Sequence, residues 1–363
     1  MNRGKKKILV LVGRELAPNE ERLIFNLNNL LIDDFEFVVF GASKHYHSLN
    51  AIVQLTHGAR EGCSLLAYFA YVKNFYKAVV RGKPDLLLQL NSPMISGPIV
   101  AVIGMLNSIP YVLRLPGDKL NIYKTLSGFK QARAFLENNI IGLFFLKQAR
   151  NLIFVGEYLS STMPPSRVSV NHKTIYQPLD FQSFKRTKDK KGYREELHLP
   201  VDKKIILYVG RLSYEKGADI LEKIILDVNS RSEQHFFVLV GEGEFENRLS
   251  RLENVMCTGS VLFQGVHKYF LACDEFVFPS RREGVPNVIL EALLCNMPIA
   301  CSSAGEMPYL VDGICNTVDD YVNYILSEKV AATKNVVPPE FFDRNQMRKQ
   351  YTDVFMNAIE NLE

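Results

Sequence analysis

The first half of the chain alternates short apolar runs with longer amphipathic stretches. A run of about five apolar residues fits a buried strand, and the longer stretch that follows fits a helix. This alternation predicts βαβ units, which build a parallel sheet covered by helices. The predicted strands are residues 8–12, 35–40, 85–90, 111–115 and 152–155.

A charged segment separates this pattern from a second one. Residues 181–204 are rich in Lys, Arg, Asp and Glu and have no apolar periodicity, so we place the domain boundary there. The pattern predicts two α/β domains at residues 1–180 and 181–337, each a Rossmann-like doubly wound parallel sheet. Domains of this kind bind ligands at the carboxyl ends of their strands. The predicted strands of the second domain are residues 205–209, 236–240, 254–257, 275–278 and 298–301.

Charge is distributed unevenly between the two halves. The 363 residues include 43 Lys or Arg and 39 Asp or Glu, which gives a formal charge of +4. Residues 1–180 carry 21 basic and 12 acidic residues, a net +9, whereas the remainder carries 22 and 27, a net −5. The basic half favours an anionic partner, such as a lipid headgroup or a charged acceptor. Nucleic acid is disfavoured, because the sequence contains no basic recognition helix or aromatic RNA-binding motif.

One basic stretch has two interpretations. Residues 65–83 interleave aromatic and basic side chains, a pattern typical of a helix in peripheral contact with an anionic membrane. The same stripe also fits a helix that packs against a core. The aromatic residues are Tyr68, Phe69, Tyr71, Phe75 and Tyr76, and the basic ones are Lys73, Lys77, Arg81 and Lys83.

The spacing of cysteines and histidines predicts no metal site. The six cysteines stand singly, without a Cys-x-x-Cys pair or a zinc-type histidine grouping, which predicts reduced thiols in a cytoplasmic protein. Residues 2–12 imitate a signal peptide. The apolar run is short, however, and Arg14 and Glu15 follow it, so a first buried strand is the better interpretation.

Two glutamates with seven residues between them frame the most informative motif. Pro286 suits the first turn of a helix, and Gly284 lets the backbone approach a ligand closely. The N–H groups at this helix start, in the stretch that includes Val285, would bind an anion or sugar hydroxyls. Glu283 would then face a sugar, and Glu291 would accept hydrogen bonds from a vicinal diol such as ribose. Taken singly, each would be an ordinary surface or capping carboxylate.

A second motif places two cations after a strand. Residues 207–217 are predicted to be a strand, a turn at Gly210 and a loop that holds Arg211 and Lys216. Fixed cations there would stabilise the negative charge that grows on a nucleoside diphosphate as it leaves, so that no metal or other cofactor is needed. The alternative is a pair of surface charges with Glu215 as a partner.

A third motif follows the predicted strand at residues 236–240. Gly241, Glu242 and Gly243 open like a dinucleotide fingerprint, but Glu246 stands where the last glycine is expected. Alone, this motif is weak evidence for NAD. We include Gly241 among the candidate donor-binding residues.

These three motifs, in this order, resemble the nucleotide-sugar domain of the retaining GT-B glycosyltransferases called glycosyltransferase family four. The resemblance covers about residues 204–312. It implies a GT-B fold, in which two Rossmann-like domains face a central cleft. In that family the residues matching Arg211 and Lys216 bind the donor diphosphate, the one matching Glu283 contacts the transferred sugar, and the one matching Glu291 holds the ribose.

The first domain resembles the family less closely. Its first strand is followed by the single Gly13 where a glycine-rich loop is common, and Asp118 is our substitute for the histidine that many members place near the reacting sugar. Asp118 follows a strand and a Pro-Gly turn, although an aspartate there also fits a turn that bonds its own backbone. In the second domain, Glu306 replaces the second glycine of a family loop. The family also implies a closing helix at about residues 338–363 that packs back on the first domain.

The resemblance implies a retaining glycosyltransferase that moves a sugar from a nucleoside diphosphate sugar to a glycan or lipid-linked acceptor. Cell-surface polysaccharide synthesis, in the cytoplasm or on the cytoplasmic face of the membrane, is the expected setting. A non-catalytic nucleotide-sugar-binding subunit is the first alternative, and donor turnover separates the two. A nicotinamide-dependent oxidoreductase is the second, and binding of NAD in preference to UDP or GDP would support it.

Overall fold

The computed structural model describes residues 4–15, 18–42, 54–57, 65–90, 96–116, 124, 127–149, 151–162, 172–327 and 343–361. The chain divides into two units, and each unit is built on its own parallel sheet. The first unit is Met1–Pro178 with Asp343–Glu363, and the second is Leu179–Phe342.

The sheet of the first unit is parallel throughout. Its strands are β1 (Lys6–Glu15), β2 (Phe35–Ala42), β3 (Gln54–His57), β4 (Leu86–Gln89), β5 (Tyr111–Leu115), β6 (Asn151–Phe154) and β7 (His172–Thr174). They pair in the order β3-β2-β1-β4-β5-β6-β7. Every position of β4 and β5 is buried, as expected for strands that are covered on both faces.

The two edge strands, β3 and β7, were not predicted. Each is short, and β7 consists of the polar residues His172, Lys173 and Thr174. An edge strand is covered less completely than a central one, so it does not require an apolar run. The apolar pattern therefore predicts the middle of the sheet and not its edges.

Helices cover the sheet of the first unit. They are α1 (Pro18–Leu31), α2 (Leu65–Gly82), α3 (Ser96–Asn107), α4 (Gly128–Phe135), α5 (Leu143–Gln148) and α6 (Glu157–Thr162), and a π-helical segment (Leu136–Gly142) joins α4 to α5. Side chains of α2, α3 and α5 form one apolar core with a face of the sheet. Tyr71, Phe75, Val100 and Leu146 contribute to this core.

The sheet of the second unit is also parallel. Its strands are β8 (Lys204–Val209), β9 (His235–Val240), β10 (Val255–Gly259), β11 (Glu275–Phe278) and β12 (Ile299–Cys301). They pair in the order β10-β9-β8-β11-β12. The order reverses between β8 and β11, and such a switch point opens a crevice at the carboxyl ends of the strands.

The helices of the second unit include three that frame this crevice. They are α7 (Lys190–Glu196), α8 (Ala218–Arg231), α9 (Glu246–Leu249), α10 (Phe263–Ala272), α11 (Asn287–Leu294), α12 (Met307–Leu310) and α13 (Val318–Leu326). Of these, α8 follows the loop after β8, α11 follows the loop after β11, and α12 follows the loop after β12.

The charged segment after residue 180 is part of the second unit and contains α7. Arg194 of α7 is buried and pairs with Asp274, with 2.5 Å between its Nη2 and the Oδ2 of Asp274. Its guanidinium also donates to the carbonyl of Ala272 at 3.0 Å. Asp274 in turn accepts from the backbone N–H of Ile205 at 2.7 Å. Charged side chains of this segment therefore fasten α7 to the sheet. The apolar pattern could not predict this helix, because its attachment depends on ion pairs and hydrogen bonds.

The last helix of the chain, α14 (Arg344–Glu360), belongs to the first unit. It begins after Asp343, whose side chain accepts from the N–H of Gln346 at 2.8 Å and caps the helix. Phe355 packs edge-on against Phe35 of β2, with ring centroids 5.6 Å apart. The hydroxyl of Tyr351 donates to the carbonyl of Tyr176 at 3.2 Å. These contacts fix α14 on the face of the first sheet opposite to α2 and α3.

Candidate functional site

Two of the sequence motifs lie at the switch point of the second sheet. The loop after β8 holds Gly210, Arg211 and Lys216, and the loop after β11 holds Glu283. Because β8 and β11 are neighbours in a parallel sheet, their carboxyl ends lie side by side. The fold therefore brings together two motifs that are far apart in sequence.

Lys216 and Glu283 form the central contact of this site. The Nζ of Lys216 lies 2.6 Å from the Oε1 of Glu283, and the two side chains are only 20% and 9% exposed. In a half-buried setting such a charge-assisted hydrogen bond is short and well oriented. Lys216 thus holds the carboxylate in place and contributes a positive charge beside it.

Arg211 is placed differently. Its side chain is 68% exposed, and its Nη2 lies 3.5 Å from the Oε2 of Glu215, which is a loose surface ion pair. Its backbone carbonyl accepts from the hydroxyl of the buried Tyr208 at 2.8 Å. Burial, and to a lesser degree the nearby carboxylate of Glu283, raise the pKa of Tyr208, so this hydroxyl stays protonated as a donor. The backbone at Arg211 is fixed, while its guanidinium is open to solvent.

The loops after β8 and β11 are interlocked around Gly217. This glycine has a φ of +76°, and a Cβ added to it would lie 2.0 Å from the carbonyl oxygen of Pro279. The backbone N–H of Arg281 donates to the carbonyl of Glu215 at 3.0 Å. Side chains larger than that of glycine cannot occupy position 217 without separating the two loops.

A bidentate ion pair joins the loop after β11 to the first turn of α8. Arg281 donates from its two terminal nitrogens to the two carboxylate oxygens of Asp219 at 2.6 and 2.7 Å, and its guanidinium lies 3.8 Å from the centre of the Tyr214 ring. The hydrogen bonds from Arg281 lower the pKa of Asp219, although burial opposes this effect. Sequence reasoning missed this pair, because nothing in the two motifs indicates which charges face each other.

The third motif lies beside the first. Gly210 donates from its N–H to the carbonyl of Val240 at 2.9 Å, and Gly241 donates to the carbonyl of Gly259 at 2.9 Å. The N–H of Leu212 also donates to the carbonyl of Glu242 at 2.9 Å. The loops after β8 and β9 therefore continue the sheet as a hydrogen-bonded pair, with Gly210 and Gly241 at the same edge.

The start of α11 differs by one residue from the sequence prediction. Pro286 was expected within the first turn, but its backbone is extended (φ −75°, ψ 119°) and it is the residue that precedes the helix. Gly284 and Val285 are half-buried just before it. The N–H of Ile289 already donates to the carbonyl of Pro286 at 3.1 Å, so the donors that α11 offers to an anion are its first two N–H groups, those of Asn287 and Val288.

The loop after β12 closes on the glutamate loop. Gly305 has a φ of +61°, and a Cβ there would lie 2.5 Å from the carbonyl oxygen of Glu283 and 2.6 Å from that of Gly284. Glu306, which replaces a glycine of the family pattern, is buried and donates from its N–H to the carbonyl of Gly284 at 2.9 Å. Glutamate at position 306 is thus compatible with this contact, because the contact is made by the backbone N–H and not by the side chain.

Glu291 lies in the second turn of α11 and is wholly buried. Burial, followed by the Glu291 carboxylate, raises the pKa of the neighbouring Cys295 thiol to about 12. The side chain of Glu291 is therefore closed to solvent in this structure.

The remaining predicted residue, Asp118, lies outside the described residues. Within the described residues, no group of three His, Cys, Asp or Glu side chains is arranged to hold a metal ion. In the same part of the chain, no helix combines the length and apolar character needed to cross a bilayer.

The second unit is similar to known proteins. Residues 203–330 match the family model described as glycosyl transferases group 1. Among curated proteins, the putative teichuronic acid biosynthesis glycosyltransferase TuaC of Bacillus subtilis is 33% identical over 230 residues, which is 62% of this chain and 55% of TuaC. A GDP-mannose-dependent phosphatidylinositol monomannoside mannosyltransferase of Corynebacterium glutamicum is 29% identical over 40% of this chain and 39% of its own length. The chain thus spans about half the length, or less, of these curated relatives.

Solved structures match over nearly the whole chain. Anabaena Alr3699/HepE in complex with UDP and glucose has a TM-score of 0.71 and 18% identity, and the match covers 97% of this chain and 99% of that one. A glycosyltransferase from Rickettsia africae has a TM-score of 0.75 at 12% identity, over 99% of this chain and 100% of that one. Residues 203–330 therefore match the glycosyl transferases group 1 family model, and the chain has the GT-B fold.

Proposed function

We propose that this chain is a retaining glycosyltransferase that moves a sugar from a nucleoside diphosphate sugar to a hydroxyl of a glycan or lipid-linked acceptor. The observation that carries the proposal is the ion pair of Lys216 and Glu283, held 2.6 Å apart at the switch point of the second sheet. A fixed cation and a fixed carboxylate side by side suit a ligand that joins a diphosphate to a sugar.

In this proposal the diphosphate lies between the Lys216 ammonium and the first N–H groups of α11. Negative charge grows on the leaving diphosphate as the glycosidic bond breaks, so donors that are already in place stabilise the transition state more than the ground state. The exposed guanidinium of Arg211 adds a second cation to the same edge. No metal is required for this step.

Glu283 and the stretch of Gly284, Val285 and Pro286 would contact the transferred sugar, and Gly210 and Gly241 would border the diphosphate. Glu291 would bind the ribose hydroxyls after a movement that exposes its carboxylate. Retention of configuration would follow from attack of the acceptor on the face from which the diphosphate leaves, as the family resemblance implies. An acidic residue of the first unit, Asp118, is the proposed acceptor-side group.

Two named relatives support the choice of acceptor. TuaC is named for teichuronic acid biosynthesis, and the Corynebacterium enzyme is named for the mannosylation of a phosphatidylinositol mannoside. The second of these names describes a lipid-linked sugar acceptor. We propose an acceptor of this general kind for this chain, used at the cytoplasmic face of a membrane.

The test is a transfer assay with purified protein, a set of UDP-, GDP-, ADP- and TDP-sugars, and a membrane lipid extract as acceptor. We expect one donor to release its nucleoside diphosphate faster when the extract is present. Proton NMR of the product should show the same anomeric configuration as the donor. If no donor is consumed under any condition, the chain is a binding subunit and not an enzyme. An inverted product would overturn retention alone.

A further inference from the structure

One helical layer of the first unit carries an unusual outer surface. The helices α2 and α3 and the rod from α4 through the π-helical segment to α5 lie side by side, since α2 contacts α3 and α3 contacts both the π-helical segment and α5. They cover the same face of the sheet with a shared core. We call their exposed side chains the basic-apolar surface.

The apolar part of this surface is large. Three side chains of α2, three of α3 and six of the rod are exposed, and Phe129 and Leu106 reach 83% and 74% exposure. Soluble proteins rarely leave so many large apolar side chains together in water, and such patches mark surfaces that bind a partner. The exposed residues are Phe69, Tyr76, Val80, Val102, Met105, Leu106, Phe129, Phe135, Leu136, Ile140, Ile141 and Phe144.

The aromatic stripe of α2 divides between both interpretations, since Tyr71 and Phe75 lie in the core whereas Phe69 and Tyr76 are exposed. On α3, Met105 is 53% exposed. On both helices, the face that points away from the sheet thus exposes large apolar side chains.

Cations are interleaved with these apolar side chains. The three elements contain six basic residues and a single carboxylate, Glu137, which is already paired with Arg133 at 2.7 Å. On α2, positions 69, 73, 76 and 80 fall on one side of the helix and place Lys73 among Phe69, Tyr76 and Val80. The basic residues are Lys73, Lys77, Arg81, Lys130, Arg133 and Lys147, and all of them are exposed.

A cavity at the end of α2 adds a place for an anionic group. It has a volume of about 460 Å³, with an apolar floor from the sheet and three cations around it. Lys77 and Arg81 belong both to this cavity and to the basic-apolar surface. The floor is formed by Leu9, Val38 and Phe40, and the cations are Lys7, Lys77 and Arg81.

On the opposite side of the first unit, the described residues expose far fewer large apolar side chains. Among the exposed large apolar side chains of the described residues, α1 and α14 contribute none, and Ile32 just after α1 is exposed singly. The surface is therefore a property of one layer and not of the whole unit.

From these observations we infer that the basic-apolar surface docks the first unit on an anionic phospholipid bilayer. Exposed aromatic and aliphatic side chains enter the boundary between headgroups and acyl chains, and lysines and arginines bind the phosphates around them. A second protein is a poorer occupant, because lysine is depleted at the centres of protein interfaces. The cavity beside Lys77 and Arg81 would accept the phosphate of a lipid headgroup. This inference rests on the proposed function and concerns the first unit alone. It specifies which surface of that unit contacts the membrane.

The test is co-sedimentation with vesicles of phosphatidylcholine alone and of phosphatidylcholine mixed equally with phosphatidylglycerol. We expect binding to the mixed vesicles only, with loss at high salt because the attraction is screened. Two double variants, Lys73→Glu with Lys77→Glu and Phe129→Ser with Phe144→Ser, should each lower the partition coefficient about tenfold or more. The matched controls on the opposite side, Lys349→Glu and Ile32→Ser, should leave it unchanged.

All six substituted side chains, those of the controls included, are exposed, so an unchanged melting temperature will verify that each variant is folded. Equal binding to both vesicle types, or binding that neither double variant reduces, would overturn the inference. A solution dimer that Phe129→Ser with Phe144→Ser abolishes, without any vesicle binding, would assign the surface to a second copy instead. Nucleotide binding by the same variants should be normal, which separates failure here from failure of the proposed function.

Discussion

Replacing Glu283 with glutamine is expected to lower the turnover number by about 10²-fold or more, with a much smaller effect on donor affinity. The substitution keeps the shape of the side chain and removes the negative charge that Lys216 holds 2.6 Å away. If Glu283 contacts the reacting sugar, its charge acts mainly in the transition state, where positive charge develops on the sugar. An interaction made only there changes kcat and leaves binding nearly unaltered.

Initial rates over a range of donor concentrations separate the two effects. Glu233→Gln is the matched control, because Glu233 is exposed and lies just before β9. It is therefore at the amino ends of the strands, whereas the candidate site is at their carboxyl ends. It should behave as the wild type does. A Glu283→Gln enzyme with normal kcat would remove Glu283 from the catalytic step.

Gly217→Ala is expected to abolish donor binding and to destabilise the second unit by roughly 1–3 kcal/mol or more. The new methyl group would lie 2.0 Å from the carbonyl oxygen of Pro279, and the backbone at φ +76° is unfavourable for alanine even without that collision. The loop would have to move away from the loop after β11. Lys216 is the preceding residue, so its contact with Glu283 would be broken by the same movement.

Urea unfolding and nucleotide titration of this variant measure the two consequences. Gly265→Ala is the control, since Gly265 lies in the first turn of α10 and an added Cβ would meet only the Val261 side chain, at 3.3 Å. Alanine is favoured over glycine within a helix, so this variant should be as stable as the wild type or slightly more stable. A Gly217→Ala protein with unchanged stability and affinity would show that the interlocked loops do not form the site.

The alternation of apolar runs predicted the central strands well, because those strands are buried on both faces. Residues 111–115 and 275–278 form β5 and β11 with the predicted bounds. The polar edge strand β7 lacked this signal, and so did α7, whose anchoring by Arg194 and Asp274 depends on charges. A pattern of buried apolar positions predicts what the core covers and not what ion pairs fasten to it.

The candidate site could be predicted in composition but not in arrangement. Each motif ends a strand, and the sequence therefore indicated which edge of the sheet would hold it. That Lys216 would face Glu283 depends on β8 pairing with β11, which is decided by the strand order and not by either motif. The bidentate pair of Arg281 and Asp219 was missed for the same reason.

The most direct test of the account is a thermal-shift measurement with UDP, GDP, ADP, TDP and NAD on the wild type, Lys216→Ala and Lys223→Ala. A ligand present at 100 times its dissociation constant stabilises the folded state by about 2.7 kcal/mol, which is readily measured. Lys223 is exposed on α8 and serves as the matched control. We expect one nucleoside diphosphate to raise the melting temperature of the wild type and of Lys223→Ala, but not that of Lys216→Ala. Stabilisation by NAD alone, or by no nucleoside diphosphate, would contradict a donor site at Lys216 and Glu283.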